Sequence, residues 1–171
     1  IYWYFSQSSS GSKLILPSHQ YFHPYHIRFK QRVIHNFINI DQLPRHVWAA
    51  MYLSEEVFFF RNSAIDWGLL RRALRLDLSH GRYVYGGSTV TQQLVKNLLL
   101  DRRKTLARKV EELFLAHWIS ERIPKMRILA LYLNVIEFGP QLFGINRAAQ
   151  FYFQKSPMSL SVDESLFLAM L

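Results

Sequence analysis

The sequence predicts an all-α domain over residues 41–171, preceded by a connector segment over 1–40. Three observations carry this. From residue 41 onward apolar residues recur at helical spacing. Capping residues stand where those periodic runs begin. The period-2 alternation of a strand is weak throughout the 171-residue chain.

The elements follow in order. In the connector, the polar run over 6–12 (SQSSSGS) reads as flexible, and Pro17 and Pro24 interrupt any helix. Asp41 is placed to cap a first helix with Pro44 in its opening turn and Val47, Trp48, Met51 and Tyr52 on one face. Gly86-Gly87 is a turn, and Thr89 with Gln92 has the spacing of a capping box for a helix reaching about Leu100. A third helix is expected over 105–121, with Leu106, Val110, Leu113 and His117 as its buried stripe. Another spans 125–133, entered through Pro124. Gly139-Pro140 and Gly144 mark a loop before a short helix over 146–153. Ser161 and Glu164 form a second capping box, opening a last helix. No internal repeat is present. The chain starts without methionine and ends in an apolar helical pattern, so it reads as part of a longer protein.

Half of the residues are apolar and 15% are aromatic, which excludes a disordered or fibrous chain. Lys and Arg number 21 against 12 Asp and Glu, a formal charge of +9. That excess calls for an anionic partner, and a nucleic acid, an acidic membrane or a phosphorylated substrate satisfies it equally. Cysteine is absent, which removes disulfides, thiolate metal sites and cysteine nucleophiles. His19, His23 and His26 cluster without the spacing of a zinc site, so no metal ligands are assigned. No run approaches the roughly 18 apolar residues of a membrane-spanning helix, and the N-terminus lacks the basic start of a signal peptide.

Three segments carry chemistry. Residues 86–97 (GGSTVTQQLVKN) join a paired-glycine turn to a polar helix start. Free backbone N–H groups there suit an anion, Ser88, Thr89 and Thr91 add hydroxyls, and Gln92 and Lys96 lie one turn apart. An ordinary capped surface helix would show some of the same features. Residues 102–112 (RRKTLARKVEE) bring cations that could converge on phosphates. Arg108 and Glu112 are also spaced as a plain solvent-exposed ion pair. Residues 54–66 (SEEVFFFRNSAID) end a helix in two carboxylates running into three phenylalanines. An apolar wall raises a glutamate toward the range of a general base. The bland alternative has both glutamates in water and the rings in the core.

These segments, in this order and followed by residues 125–134 (KMRILALYLN), resemble glycosyltransferase family 51, the peptidoglycan glycosyltransferases. Members are monofunctional or form the N-terminal half of class A penicillin-binding proteins. The resemblance covers about residues 42–171 and continues through Glu137-Phe138-Gly139, Phe143-Gly144-Ile145 and Ala148-Ala149. It implies a lysozyme-like helical lobe with a smaller membrane-facing jaw, the jaw falling over 67–85. There Leu69, Leu70, Leu74, Leu76 and Leu78 alternate with Arg71, Arg72, Arg75 and Arg82. Position by position, Glu55 falls on the catalytic base and Glu112 on the second essential glutamate. Ser88, Thr89, Gln92, Gln93 and Lys96 fall on the substrate-binding helix, and Lys104, Arg108 and Lys109 on basic positions near the substrate phosphates. The first motif departs from the pattern: Glu56 replaces an aspartate, Asn62 a histidine and Ala64 a glycine.

The implied reaction polymerises lipid II into β-1,4-linked strands with inversion and release of undecaprenyl pyrophosphate. The implied partners are lipid II, the growing glycan strand, a membrane surface and other cell-wall synthesis proteins, not nucleic acid. A divalent cation (Mg2+ or Mn2+) at the pyrophosphate is the one cofactor the resemblance suggests. The implied place is the outer face of the bacterial inner membrane. Two rivals are a lipid II-binding relative with impaired catalysis and a lysozyme-like enzyme that cleaves glycan. Cleavage has no need of a phosphate-binding cluster, so Lys96 with Arg108 favours polymerisation.

Overall fold

A computed structural model describes residues 14–15, 33–34, 37–65, 67–68, 71, 88–100 and 105–171. The polar run over 6–12, the three clustered histidines, Gly86-Gly87, Lys104 and nearly all of the expected jaw lie outside them.

The described residues form a helical domain. Its one sheet among those residues pairs β1 (Leu14–Ile15) with β2 (Val33–Ile34), antiparallel, with Leu14 opposite Ile34. The helices described over their full length are α1 (Arg45–Glu55), α2 (Val90–Leu98), α3 (Leu106–Ser120), α4 (Lys125–Val135), α5 (Ile145–Phe153) and α6 (Val162–Ala169).

Helix α4 is the centre. Ile128, Leu129, Ala130, Leu131, Tyr132, Leu133 and Val135 are all buried, so it is apolar on every side, as a helix enclosed by others must be. It packs against α1, α2 and α5. Burying each of its larger aliphatic side chains contributes about 1.5–3 kcal/mol. Asn134, near its end, accepts from the Ile38 N–H (2.9 Å) and donates to the Ile38 carbonyl (2.8 Å), tying the segment before α1 onto the core. None of the described helices is long and apolar enough to cross a membrane.

The start of α1 differs from expectation. Asp41 does not cap it. Ile40–Gln42 is a separate 3-10 turn, in which the Gln42 side chain accepts from the Asn39 N–H (2.9 Å), and α1 begins after Pro44. A residue before proline is driven out of the helical region, and Leu43 is extended at φ −92° and ψ 138°, which splits the two elements.

The face of α3 is also rotated from the expected one. Val110 and His117 are exposed, while Glu112, Leu115, Ala116 and Ile119 form the buried stripe. Hydropathy puts a glutamate outside; here two cations on the same helix compensate it, as described below. At the other end, Gly144 precedes α5 at φ +85°, and a Cβ there would lie 2.7 Å from the Asn134 carbonyl oxygen. The capping box of α6 is present: Ser161 and Glu164 exchange bonds of 3.2 and 2.8 Å.

Candidate active site

Helix α1 ends where Glu56 turns to φ −153°, and this break sends two adjacent carboxylates to different places. Glu55 is exposed, and the Gln93 side-chain amide on α2 donates to its Oε2. Glu56 is buried. Its Oε2 accepts from the Val90 N–H (3.0 Å), the first residue of α2, and its Oε1 accepts from Asn62 Nδ2 (3.3 Å). A carboxylate at a helix N-terminus satisfies an otherwise unbonded donor and opposes the helix dipole. Two of the departures in the first motif, Glu56 and Asn62, are therefore bonded to each other. Of the three phenylalanines only Phe59 enters the core, with the Lys125 amine 4.7 Å from its ring centre. Burial pushes the Lys125 amine below its ordinary range, and the charge of Glu56 opposes that shift.

The start of α2 is stitched to the chain before it. The Thr89 hydroxyl accepts from the Gln92 N–H (3.2 Å) and donates to the Ala64 carbonyl (2.6 Å). The expected capping box is thus half made. The Gln92 side chain does not return to Thr89: its Nε2 donates to the Ala64 carbonyl at 3.3 Å. Ala64 takes part through its backbone, at a negative φ that any residue adopts.

Gln92 Oε1 meets the cations instead. The Lys109 amine donates to it (3.2 Å), to Ser88 Oγ (2.9 Å) and to Glu112 Oε1. Arg108 Nη1 donates to Glu112 Oε2 at 2.7 Å. The pair of Arg108 and Glu112 is no solvated surface bridge, because the Glu112 side chain is 1% exposed. Arg108 and Lys109 keep 14% and 27% of their side chains accessible, so the cluster offers its positive side outward.

The structure thus brings Ser88, Thr89, Gln92, Arg108, Lys109 and Glu112 into one network and joins Gln93 to Glu55. Lys96 stands exposed one turn beyond Gln92, which is buried, so the two do not share a facing surface. Lys104 lies outside the described residues. Tyr132, Lys125 and the tie between Glu56 and α2 are candidates that only the three-dimensional arrangement brings out. Buried polar atoms without a partner among the described residues are Thr91 Oγ1, Lys125 Nζ and the Tyr132 hydroxyl.

Adjacent glutamines of one helix thus reach an exposed carboxylate on one side and a partly accessible pair of cations on the other. A family model described as Transglycosylase matches residues 24–171. Penicillin-binding protein 1A of Aquifex aeolicus is 43% identical over 135 residues, covering 79% of this chain and 19% of that protein. The biosynthetic peptidoglycan transglycosylase of Acinetobacter baumannii (strain SDF) is 39% identical over 140 residues, 81% of this chain and 62% of that one. The protein of the same name from Alcanivorax borkumensis is 41% identical over 129 residues, 75% of this chain and 53% of that one. The chain belongs to the transglycosylase family, glycosyltransferase family 51. It spans only part of the length of each of these relatives.

Proposed function

We propose that this chain is the glycan-polymerising part of a peptidoglycan synthase, joining lipid II units into β-1,4-linked strands. The observation that supports this best is the pair Gln92 and Gln93, which reach from one helix to the Lys109 cation on one side and Glu55 on the other. A transferase that displaces a pyrophosphate needs those two functions within one cleft. Glu55 takes the proton from the acceptor sugar hydroxyl as its oxygen attacks the anomeric carbon of the donor. Attack opposite the departing undecaprenyl pyrophosphate inverts that carbon. Arg108 and Lys109, with Lys96 and Lys104 as further candidates, neutralise the leaving group. Glu112 holds the first two in place, and Ser88, Thr89 and Gln93 complete the substrate-binding helix.

A divalent ion finds no ready ligands in this arrangement. Both oxygens of Glu112 are taken by Arg108 and Lys109, and among the described residues no three His, Asp or Glu side chains converge. Mg2+ or Mn2+ would be held by the pyrophosphate itself and by water.

The lipid tail of such a substrate stays in the bilayer, so the site must work at the membrane surface, on the outer face of the inner membrane. Val57, Phe58, Phe60 and Trp67 are exposed just after Glu55, with the exposed Arg61 and Arg71 among them, a mixture suited to an anionic headgroup boundary. Incubating the purified chain with lipid II and sizing the products tests the reading. Glycan strands with released undecaprenyl pyrophosphate are expected. Shortening of preformed strands, with no synthesis, would replace it with a cleaving enzyme.

A further inference from the structure

Tyr132 sits at the centre of the fold, 0% exposed, with a hydroxyl that has no hydrogen-bond partner among the described residues. A buried donor left unmade costs stability, and phenylalanine would fill the same space without that cost. The position therefore calls for a partner that arrives later. Helix α4, which carries Tyr132, packs against α1, which ends in Glu55, and against α2, which supplies Gln93 to the Glu55 carboxylate. Burial, and after it the charge of Glu55, pushes the phenol above its ordinary range. It therefore remains protonated, a donor at any working pH. Glu55, at the end of the helix α1 against which α4 packs, is the carboxylate whose charge acts on it. Lys125, seven residues away on α4, lies over the Phe59 ring, and the charge that acts on it is that of Glu56.

We propose that Tyr132 is a positioning residue for the Glu55 base, donating its hydroxyl hydrogen to that carboxylate when the acceptor sugar occupies the site. This rests on the polymerising reaction proposed above. Gln93 and Tyr132 then hold the carboxylate from two helices, which fixes its remaining lone pairs toward the acceptor. In the step itself the acceptor hydroxyl proton moves to Glu55, the hydroxyl oxygen bonds to the anomeric carbon, and the bond from that carbon to pyrophosphate breaks. The phenol keeps its proton throughout.

The test is Tyr132→Phe, assayed against the parent for lipid II polymerisation across pH and for thermal unfolding. The expected result is a kcat about ten-fold lower, on the scale of one hydrogen bond to a charged group, with KM changed less than about two-fold. The acid limb of the pH–rate profile should move to higher pH, because the charged form of the base has lost a donor. The melting temperature should hold or rise. An active parent matched by the variant in both kcat and acid limb overturns the inference while leaving the reaction standing. A variant that melts lower and loses activity only in proportion also overturns it, making Tyr132 structural. A parent that makes no glycan overturns the reaction and this role with it.

Discussion

Glu56 and Glu55 are neighbours, yet replacing each by glutamine should produce opposite results. In Glu56→Gln one oxygen becomes an amide, a donor facing donors. The residue now accepts from both the Val90 N–H (3.0 Å) and Asn62 Nδ2 (3.3 Å), and glutamine can serve only one of them with an uncharged oxygen. Losing a hydrogen bond to a charged acceptor costs about 1.5–3 kcal/mol. Solvent screens little of this, since Glu56 is 8% exposed. Lys125 also loses the carboxylate that favours its charge. A total near 2–3 kcal/mol lowers the melting temperature by about 5–10 °C at this chain length. Thermal denaturation followed by circular dichroism reads the shift, and polymerisation measured well below the transition should retain most of the parental rate. A variant that melts with the parent but makes no glycan would refute this division, and Glu56 would then be the base.

Three further changes follow from the same geometry. Gly144→Ala forces a side chain onto a backbone at φ +85°, with its Cβ 2.7 Å from the Asn134 carbonyl, and should cost about 2–3 kcal/mol in urea denaturation. Lys109→Met removes the amine shared by Ser88, Gln92 and Glu112, so lipid II binding should weaken about ten-fold or more in a direct binding assay. Binding equal to the parent would move the phosphate site elsewhere. Ser161→Ala takes away the cap of α6 and should cost about 1 kcal/mol of stability with polymerisation unchanged, because the bonds Ser161 makes lie within the first turn of α6 itself.

The legibility of the chain divides along physical lines. Helix starts that depend on a local cap were readable: the hydroxyls of Thr89 and Ser161 each accept from an N–H three residues on. The start of α1 was not, because Pro44 acts on the residue before it and separates Asp41 from the helix. The buried face of α3 was misplaced because its stripe contains Glu112, whose burial depends on Arg108 and Lys109 meeting it at both oxygens. Within the site, the resemblance named the residues that the network contains, but no local rule distinguishes Glu55 from Glu56. That difference arises from the arrival of the α2 N-terminus at Glu56, a contact between residues 34 positions apart. Tyr132 lies in a segment that carries the resemblance, but nothing in that apolar run separates it from its neighbours; its buried hydroxyl, unbonded among the described residues, does.

The assignment of Glu55 as the base is most directly tested by Glu55→Gln, assayed for lipid II polymerisation and melting temperature together. Glu55 is exposed and its one bond among the described residues is to Gln93, so the substitution should leave the melting temperature unchanged. Glycan synthesis should fall by about 10²–10⁴-fold, the range that a positioned general base contributes. Synthesis at the parental rate by a fully folded Glu55→Gln variant would contradict the assignment.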